Sequence, residues 1–220
     1  MATDITVRGS FSVFQPPERV TVHAAVAYEG PEMAPVYQQV ARDLETVTGS
    51  VQPLLDGPIT RWTAQQLQTS STRPWNHDGV QLPLVHRASV SVEAEFGDFT
   101  EMSAWAGANI AAVEGFRVSQ VIWSLTGARR DELRRDARRR AVQDAADRAQ
   151  QYADALDLGV IRPVALADAG MLGVNPDHVA GHQYLRAAAT GPGGAPDVEF
   201  VPQDIEVSAA VDARFAAGGI

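Results

Sequence analysis

The longest regular pattern in the chain is a helical one over residues 126–158. Its apolar residues recur every three or four positions and are mostly alanine: Leu133, Ala137, Ala141, Ala145, Ala149, Tyr152 and Leu156. A stripe that is narrow and built of small side chains can lie close against a sheet. The pattern therefore predicts a long helix packed on β-strands, with its charged residues on the other faces.

Charge is distributed unevenly along this helix. Residues 129–140 carry seven Arg and three acids, whereas residues 144–157 carry one Arg and four acids. This order opposes the helix macrodipole, which favours acids near the start and bases near the end. The simplest interpretation is a solvated face whose charges are screened and paired at i,i+4. The alternative is that the basic half contacts an acidic surface of another subunit, with Arg134, Arg135 and Arg138 as the interface candidates.

Composition limits the class of partner. The chain has 220 residues, 27 acids and 18 basic residues, all Arg, and its net charge is -9. Phosphate backbones and anionic lipid repel an acidic chain, so we expect no nucleic-acid partner and no membrane insertion. The longest charge-free run, residues 102–113, is too short to span a bilayer. The first residues lack a signal-peptide pattern, and we expect a soluble, cytoplasmic protein.

Period-two alternation of apolar and polar residues predicts four β-strands. They lie at residues 5–13, 20–28, 88–96 and 205–215. The first two flank a turn that contains Pro16 and Pro17, which we interpret as a β-hairpin with one buried face. Residues 116–125 have apolar side chains on both faces, which is typical of a central strand covered on both sides.

Two further helices and two extended segments complete the pattern. The first helix carries an apolar stripe made of Val36, Val40, Leu44, Val47 and Val51. The second begins at Asp98, which stands three residues before Glu101 in a capping-box spacing. Its predicted stripe is Phe99, Met102, Ala106, Ile110 and Val113. Residues 59–72 and 161–167 are read as extended.

The order of elements indicates the α+β (α/β) fold class. Two β-β-α units are followed by β-α-β-β, with mixed, largely antiparallel sheets and helices packed on them. We interpret residues 1–220 as one domain. The pattern would also fit two subdomains, one of residues 1–57 with parts of the rest and one of residues 58–220. Residues 168–202 lose the period and gain Gly, Pro and Ala, so we expect a mobile loop there.

The sequence has no recognisable catalytic motif and no Cys, and we expect no cofactor. Only His178 and His182 have the spacing of metal ligands on one helical face, with Asp177 as a third donor. Pro176 and Gly181 argue against a helix there, and the segment lies in the expected loop. A hydrolase that relies on paired carboxylates stays an alternative, because spacing cannot identify such a pair.

The ordered segments resemble the SIMPL-domain family, a bacterial family of unknown biochemical function. The opening ITVRGSFSVFQPPERVTVHAAVAYEG is similar to the family's first two strands with their proline turn, and LQTSSTRPWNHDG to its central extended segment. VSVEAEFGDFTEMSAW, DARRRAVQDAADRAQQYADALDLGVIRPVALADAG and VPQDIEVSAAVDARF resemble the later strand-helix, helix-strand and closing strand. Pro202-Gln203 stands where the family commonly has Pro-Gly.

The resemblance implies an α/β domain that is frequently a homo-oligomer, in some members ring-like, and is associated with stress tolerance or signalling. We therefore expect a non-enzymatic, self-associating scaffold whose partner is itself. The alternative is a small-molecule or metal-binding module that uses a cleft beneath the 168–202 loop. Its best candidate residues are His178, His182 and Trp75.

Overall fold

The computed structural model describes residues 2–75, 77, 81–172 and 201–218. Its strands are β1 (Thr3–Gln15), β2 (Arg19–Gly30), β3 (Ile59–Ala64), β4 (Gln68–Thr72), β5 (Val85–Phe96), β6 (Phe116–Ser124), β7 (Arg162–Asp168) and β8 (Ile205–Ala217). Its helices are α1 (Met33–Val51), α2 (Phe99–Ala112) and α3 (Gly127–Ala155). Antiparallel strand pairs form two sheets, which confirms the α+β prediction.

The described residues form two compact units. The first contains residues 2–16, 126–172 and 204–218, and the second contains the described part of residues 17–125 together with residues 201–203. This division crosses the subdomain boundary expected at residue 57. The reason is strand pairing, because β2 lies before that residue and pairs with β5 and β6, which lie after it.

The second unit is a five-stranded sheet with α1 and α2 on one face. The strand order is β3-β5-β2-β6, and β4 pairs with the same edge of β5 as β3 does. The core side carries the apolar alternation of β2 and β5, whose Val22, Val26, Val90 and Phe96 are almost completely buried. The stripe predicted for α1 is confirmed, with Leu44 only partly buried.

The second helix begins as predicted, and Met102, Ala106 and Val113 of the predicted stripe are buried, with Phe99 partly buried. The Asp98 carboxylate accepts the N–H groups of Thr100 and Glu101 at 2.9 and 3.0 Å, which confirms the N-cap. Ile110 was wrongly placed in the core, and it is exposed. The buried residues of α2 are Met102, Trp105, Ala106 and Asn109. The polar Asn109 can be buried because its side-chain amide donates to the Trp105 carbonyl and to Ser50 Oγ.

The first unit is a three-stranded sheet, in the order β1-β8-β7, with α3 on one face. The alanine stripe of α3 is buried from Ala137 to its end. It continues at a spacing of four to Ala153, so the predicted burial of Tyr152 and Leu156 was wrong. Their exposed fractions are 58% and 63%. Alanine side chains thus line the contact between this helix and its sheet from Ala137 to Ala153.

The predicted hairpin of the first two strands was wrong. β1 pairs along its full length with β8, whereas β2 pairs with β5 and β6 in the other sheet. Between them, Pro16 and Pro17 have no backbone N–H to contribute to a hairpin ladder. The alternation predicted both strands correctly, but it cannot show which strand pairs with which.

Two strand assignments also change. Strand β6 was predicted to be central, but it is the edge of its sheet and is half exposed, and its apolar outer residue Ile122 is exposed. The extended segment at residues 59–72 is two strands, β3 and β4, that pair with different halves of β5. Of the expected mobile loop, residues 173–200 lie outside the described residues, and that prediction stays untested.

Candidate interaction site on helix α3

The basic half of α3, residues 129–140, follows an N-cap and contains two buried side chains. Thr126 Oγ1 accepts the backbone N–H of Arg129 at 3.3 Å, and Leu133 and Ala137 are buried against the sheet. The arginines between these residues therefore project sideways and outwards from a rigid element. A rigid scaffold holds charged side chains at defined spacings, which is what recognition of another molecule requires.

Several arginines of this half are held by neighbours. Asp136 binds both Arg139 and Arg140, the latter at 3.0 Å. The Arg140 guanidinium also lies 4.8 Å from the centroid of the Phe11 ring. Arg129 pairs with Glu132 at 2.8 Å and donates to the Gln15 side chain at 2.8 Å. The contacts with Phe11 and Gln15 hold this side of the helix against β1.

The sequence places three acids four residues before an Arg on this helix, which predicts the pairs Asp131–Arg135, Asp136–Arg140 and Asp144–Arg148, and two of the three are confirmed. Arg140 pairs with Asp136, and Arg148 pairs with Asp144 at 3.4 Å. The third prediction was wrong, because Asp131 lies 4.0 Å from Arg134 rather than next to Arg135. Contacts of this kind at an exposed surface stabilise the fold by only about 0.5 kcal/mol each.

The three interface candidates, like Arg130, are among the weakly engaged arginines of the helix in the part of the chain that the structure describes. Within the described residues, Arg135 and Arg138 have no ion-pair partner, and Arg134 has only the 4.0 Å contact. All three are exposed, with 55% of the Arg134 side chain accessible. Their charge is therefore available to a partner.

The structure places these candidates on two flanks of the helix. Arg134 and Arg138 line a pocket of about 260 Å³ together with Asp168 of β7 and residues 208–210 of β8. Arg135 lines a separate groove of about 460 Å³ with Arg129, Glu132, Leu133, Asp136 and Arg139. The sequence grouped the three residues as one contact, but they serve two adjacent surfaces.

One contact of α3 was missed by sequence reasoning. The Asp144–Arg148 pair was read as a solvated helix pair, yet Asp144 accepts the backbone N–H of Ser10 at 2.9 Å and Arg148 donates to the Arg8 carbonyl at 3.2 Å. The pair therefore occupies free hydrogen-bonding groups on the outer edge of β1 and protects that edge. The signal was Gly9, since an isolated glycine in a strand indicates close approach of another backbone.

A second missed contact lies on the sheet face opposite α3. The buried Asp212 carboxylate binds the Arg8 guanidinium through two hydrogen bonds of 2.7 and 3.2 Å. It also accepts the Gly170 N–H at 2.6 Å. The Arg8 hydrogen bond is the main cause that lowers the pKa of Asp212, and the N–H groups of Gly170 and Leu172 add to it. Asp212 therefore ties β1 and the turn after β7 to β8.

We expect Asp212→Asn to lower the free energy of unfolding by about 2 kcal/mol at pH 7, because its charge-assisted hydrogen bonds are lost. The folded-state pKa of Asp212 lies below its ordinary 3.8, so the carboxylate stabilises the fold above that pH. This stabilisation is lost as the pH falls through the folded-state pKa. The difference between wild type and variant should therefore narrow below about pH 4.

Urea unfolding at pH 7 and pH 3 measures this difference, and Asp4→Asn at an exposed position of β1 is the matched control. If the free energies of unfolding of wild type and Asp212→Asn differed by the same amount at both pH values, the result would contradict the stabilising role of the Asp212 carboxylate.

The metal-ligand candidates His178 and His182 lie outside the described residues. Trp75, the other ligand candidate, is 78% exposed and makes an edge contact with the His77 ring. Among the described residues, no group of three or more His, Asp or Glu side chains could hold a metal ion. The ligand-module hypothesis therefore stays a prediction.

A groove that the sequence did not indicate lies where β2 meets α1. Two depressions of about 480 and 420 Å³ share residues 29–31 and are lined mainly by Pro, Leu and Val side chains. The Tyr28 hydroxyl at its edge donates to Asp43 at 2.5 Å and accepts the Gly115 N–H at 2.7 Å. Burial, followed by the Asp43 contact, raises the Tyr28 pKa, so this tyrosine stays neutral and acts as a structural link.

Within the parts of the chain that the structure describes, the helices are too short or too polar to cross a membrane.

Comparison with known proteins gives one extensive match. The model of the SIMPL family, described as a protein of unknown function (DUF541), matches residues 5–215. No curated protein matches the chain. A crystal structure described as a putative amidohydrolase/peptidase from Burkholderia cenocepacia is 15% identical, covers 61% of this chain and 33% of that chain, and has a TM-score of 0.31. A similarity this low carries no functional argument.

Proposed function

Because the chain belongs to the SIMPL family, whose function is unknown, we propose that it is a non-enzymatic protein that associates with further copies of itself. The observation that carries the proposal is the set of exposed arginines on the first half of α3, with Arg135 and Arg138 unpaired among the described residues. The family resemblance alone supports an oligomeric, ring-like scaffold linked to stress tolerance or signalling. A cytoplasmic location is likewise part of the proposal.

Charge balance favours a second copy as the partner. Outside residues 126–158 the chain has 10 Arg and 20 acids, so another copy presents a predominantly acidic surface. Oppositely charged surfaces attract each other before contact and orient the encounter. The macrodipole of α3 does not favour a basic first half, and an acidic partner surface would offset that cost.

Charge reversal on the helix tests the proposal. We expect Arg134→Glu/Arg135→Glu/Arg138→Glu to shift the native mass in light scattering towards the 23.6 kDa of one chain, because attraction becomes repulsion. The matched control is Arg42→Glu/Arg87→Glu/Arg162→Glu, which makes the same change in net charge at exposed positions elsewhere. Circular dichroism verifies that both variants are folded. Unchanged mass of the α3 variant, or an equal loss in the control, would contradict the proposal.

A further inference from the structure

We propose that the end of β7 forms a docking notch for an extended, acidic segment of a separate protein. The notch is the place where β7 stops while its neighbour β8 continues, and Arg134 and Arg138 of α3 flank it. This proposal goes beyond self-association, because it assigns a partner of different kind and a defined mode of binding. It rests on the strand register, on the charge of the notch and on its volume.

Among the described residues, the strand register leaves part of one edge of β8 without a partner. β7 pairs with β8 from Ala216 to Val211 and ends there at Asp168. The rest of β8, down to Ile205, has a partner on the β1 side but, among the described residues, none on the β7 side. A backbone edge without a partner is a template on which an extended chain can add as a new strand.

The direction of the free backbone groups follows from the contacts of β1. Helix α3 binds the Arg8 carbonyl and the Ser10 N–H, so both groups point away from β8. In an antiparallel ladder the residue between them, Gly9, then points towards its β8 partner Val211. Since direction alternates along a strand, β8 residues 208 and 210 turn their N–H and C=O groups towards the notch. Asp168 and Val211 are then a non-hydrogen-bonded pair, so the ladder bonds beside that pair fall on Asp212 and Ala210. Ser208 is the residue whose N–H and C=O groups lie wholly beyond the end of β7.

The charge of the notch selects the partner. Arg134 and Arg138 line its 260 Å³ together with Asp168, so the side chains sum to one positive charge. Arg138 has no ion-pair partner in the described parts of the chain, and the Arg134 contact with Asp131 is 4.0 Å long. A carboxylate placed in the notch would meet guanidinium groups that can bind it through two parallel hydrogen bonds.

The pleat fixes where that carboxylate must stand. Asp168 is opposite Val211, whose buried side chain faces α3. In an added strand, the residue opposite Ala209 therefore points towards α3. The residues directly before and after it point to the other face of the sheet. The segment that fits has Asp or Glu at alternate positions. A notch-to-notch contact between two copies does not fit, since it would bring four arginines together. An acidic surface of a second copy is the competing occupant, and the measurement of native mass distinguishes it from a separate protein.

Amide chemical shifts test the notch directly. The probe is an acetylated, amidated octapeptide with Asp at alternate positions between Thr and Val, titrated into ¹⁵N-labelled full-length protein up to concentrations on the order of a few millimolar. The expected result is a saturable shift of the Ser208 and Ala210 amide signals. Arg134→Gln/Arg138→Gln should weaken binding about tenfold through loss of two ion pairs. Arg130→Gln/Arg162→Gln removes the same two charges at exposed positions outside the notch, so it is the matched control and should bind as wild type.

Three results would overturn the proposal. The first is the absence of a shift at Ser208 and Ala210, and the second is an equal shift with a peptide that carries Asn in place of Asp. The third is slow hydrogen exchange of both amides before peptide is added, because the edge is then already paired by the chain itself or by a second copy. Native mass is measured on the same samples. The amide shifts then test peptide binding at the notch, and the mass tests self-association independently.

Discussion

Gly9→Ala is expected to lower the free energy of unfolding by about 3 kcal/mol, the upper part of the range for overpacking. A Cβ atom at this position would lie 2.0 Å from the Ala141 carbonyl oxygen and 2.5 Å from the Ala145 nitrogen. Both atoms belong to the backbone of α3, so no side-chain rotation can relieve the clash. The helix must move away from β1, and the contacts of its Asp144–Arg148 pair with the strand edge weaken with it.

The matched control is Gly49→Ala in α1, where an added Cβ atom meets nothing within 4 Å. That change should raise stability by about 0.5–1 kcal/mol, because alanine loses less backbone entropy than glycine in a helix. Urea unfolding of both variants measures the difference. A Gly9→Ala protein as stable as wild type would show that α3 does not lie on this strand as described.

Trp105→Ala is expected to cost about 4 kcal/mol, the usual size for removal of a buried aromatic side chain. Trp105 is 4% exposed, and its ring centroid lies 5.4 Å from that of Phe96 and 5.7 Å from that of Phe116. Its indole N–H donates to Ser50 Oγ at 3.0 Å and so links α2 to α1. The substitution leaves a cavity between both helices and the sheet.

Trp75→Ala is the control for this prediction, since that residue is mostly exposed and its removal should change stability by less than about 0.5 kcal/mol. Thermal unfolding followed by circular dichroism compares the two variants. Similar effects of the two substitutions would contradict the placement of Trp105 in the core.

Local patterns predicted elements better than they predicted pairing. The alanine stripe on α3 and the Asp98 cap could be read from spacing, because both depend on residues three or four apart. The partner of β1 could not, since β8 lies at the other end of the chain and the alternation of each strand fits any partner. For the same reason β6 was taken for a central strand, although its apolar outer residues do not reveal that it is an edge.

The candidate site was predictable in its composition but not in its geometry. The uneven charge of α3 indicated the exposed arginines, yet spacing could not show that Arg134 and Arg138 share a pocket while Arg135 lies in another groove. The contact of Asp144 with Ser10 also joins distant parts of the chain. Only Gly9 signalled it, because a glycine inside an otherwise alternating strand indicates close packing.

The central claim is that the basic half of α3 is a contact surface between copies of this chain. Light scattering of the wild-type protein at low and high salt tests it most directly. The account predicts a discrete multimer at low salt whose mass decreases at high salt. The reason is that salt screens the attraction between exposed charges, and the screening length falls from about 10 Å at 0.1 M to shorter distances at higher salt. A mass of 23.6 kDa, one chain, at both salt concentrations would contradict it.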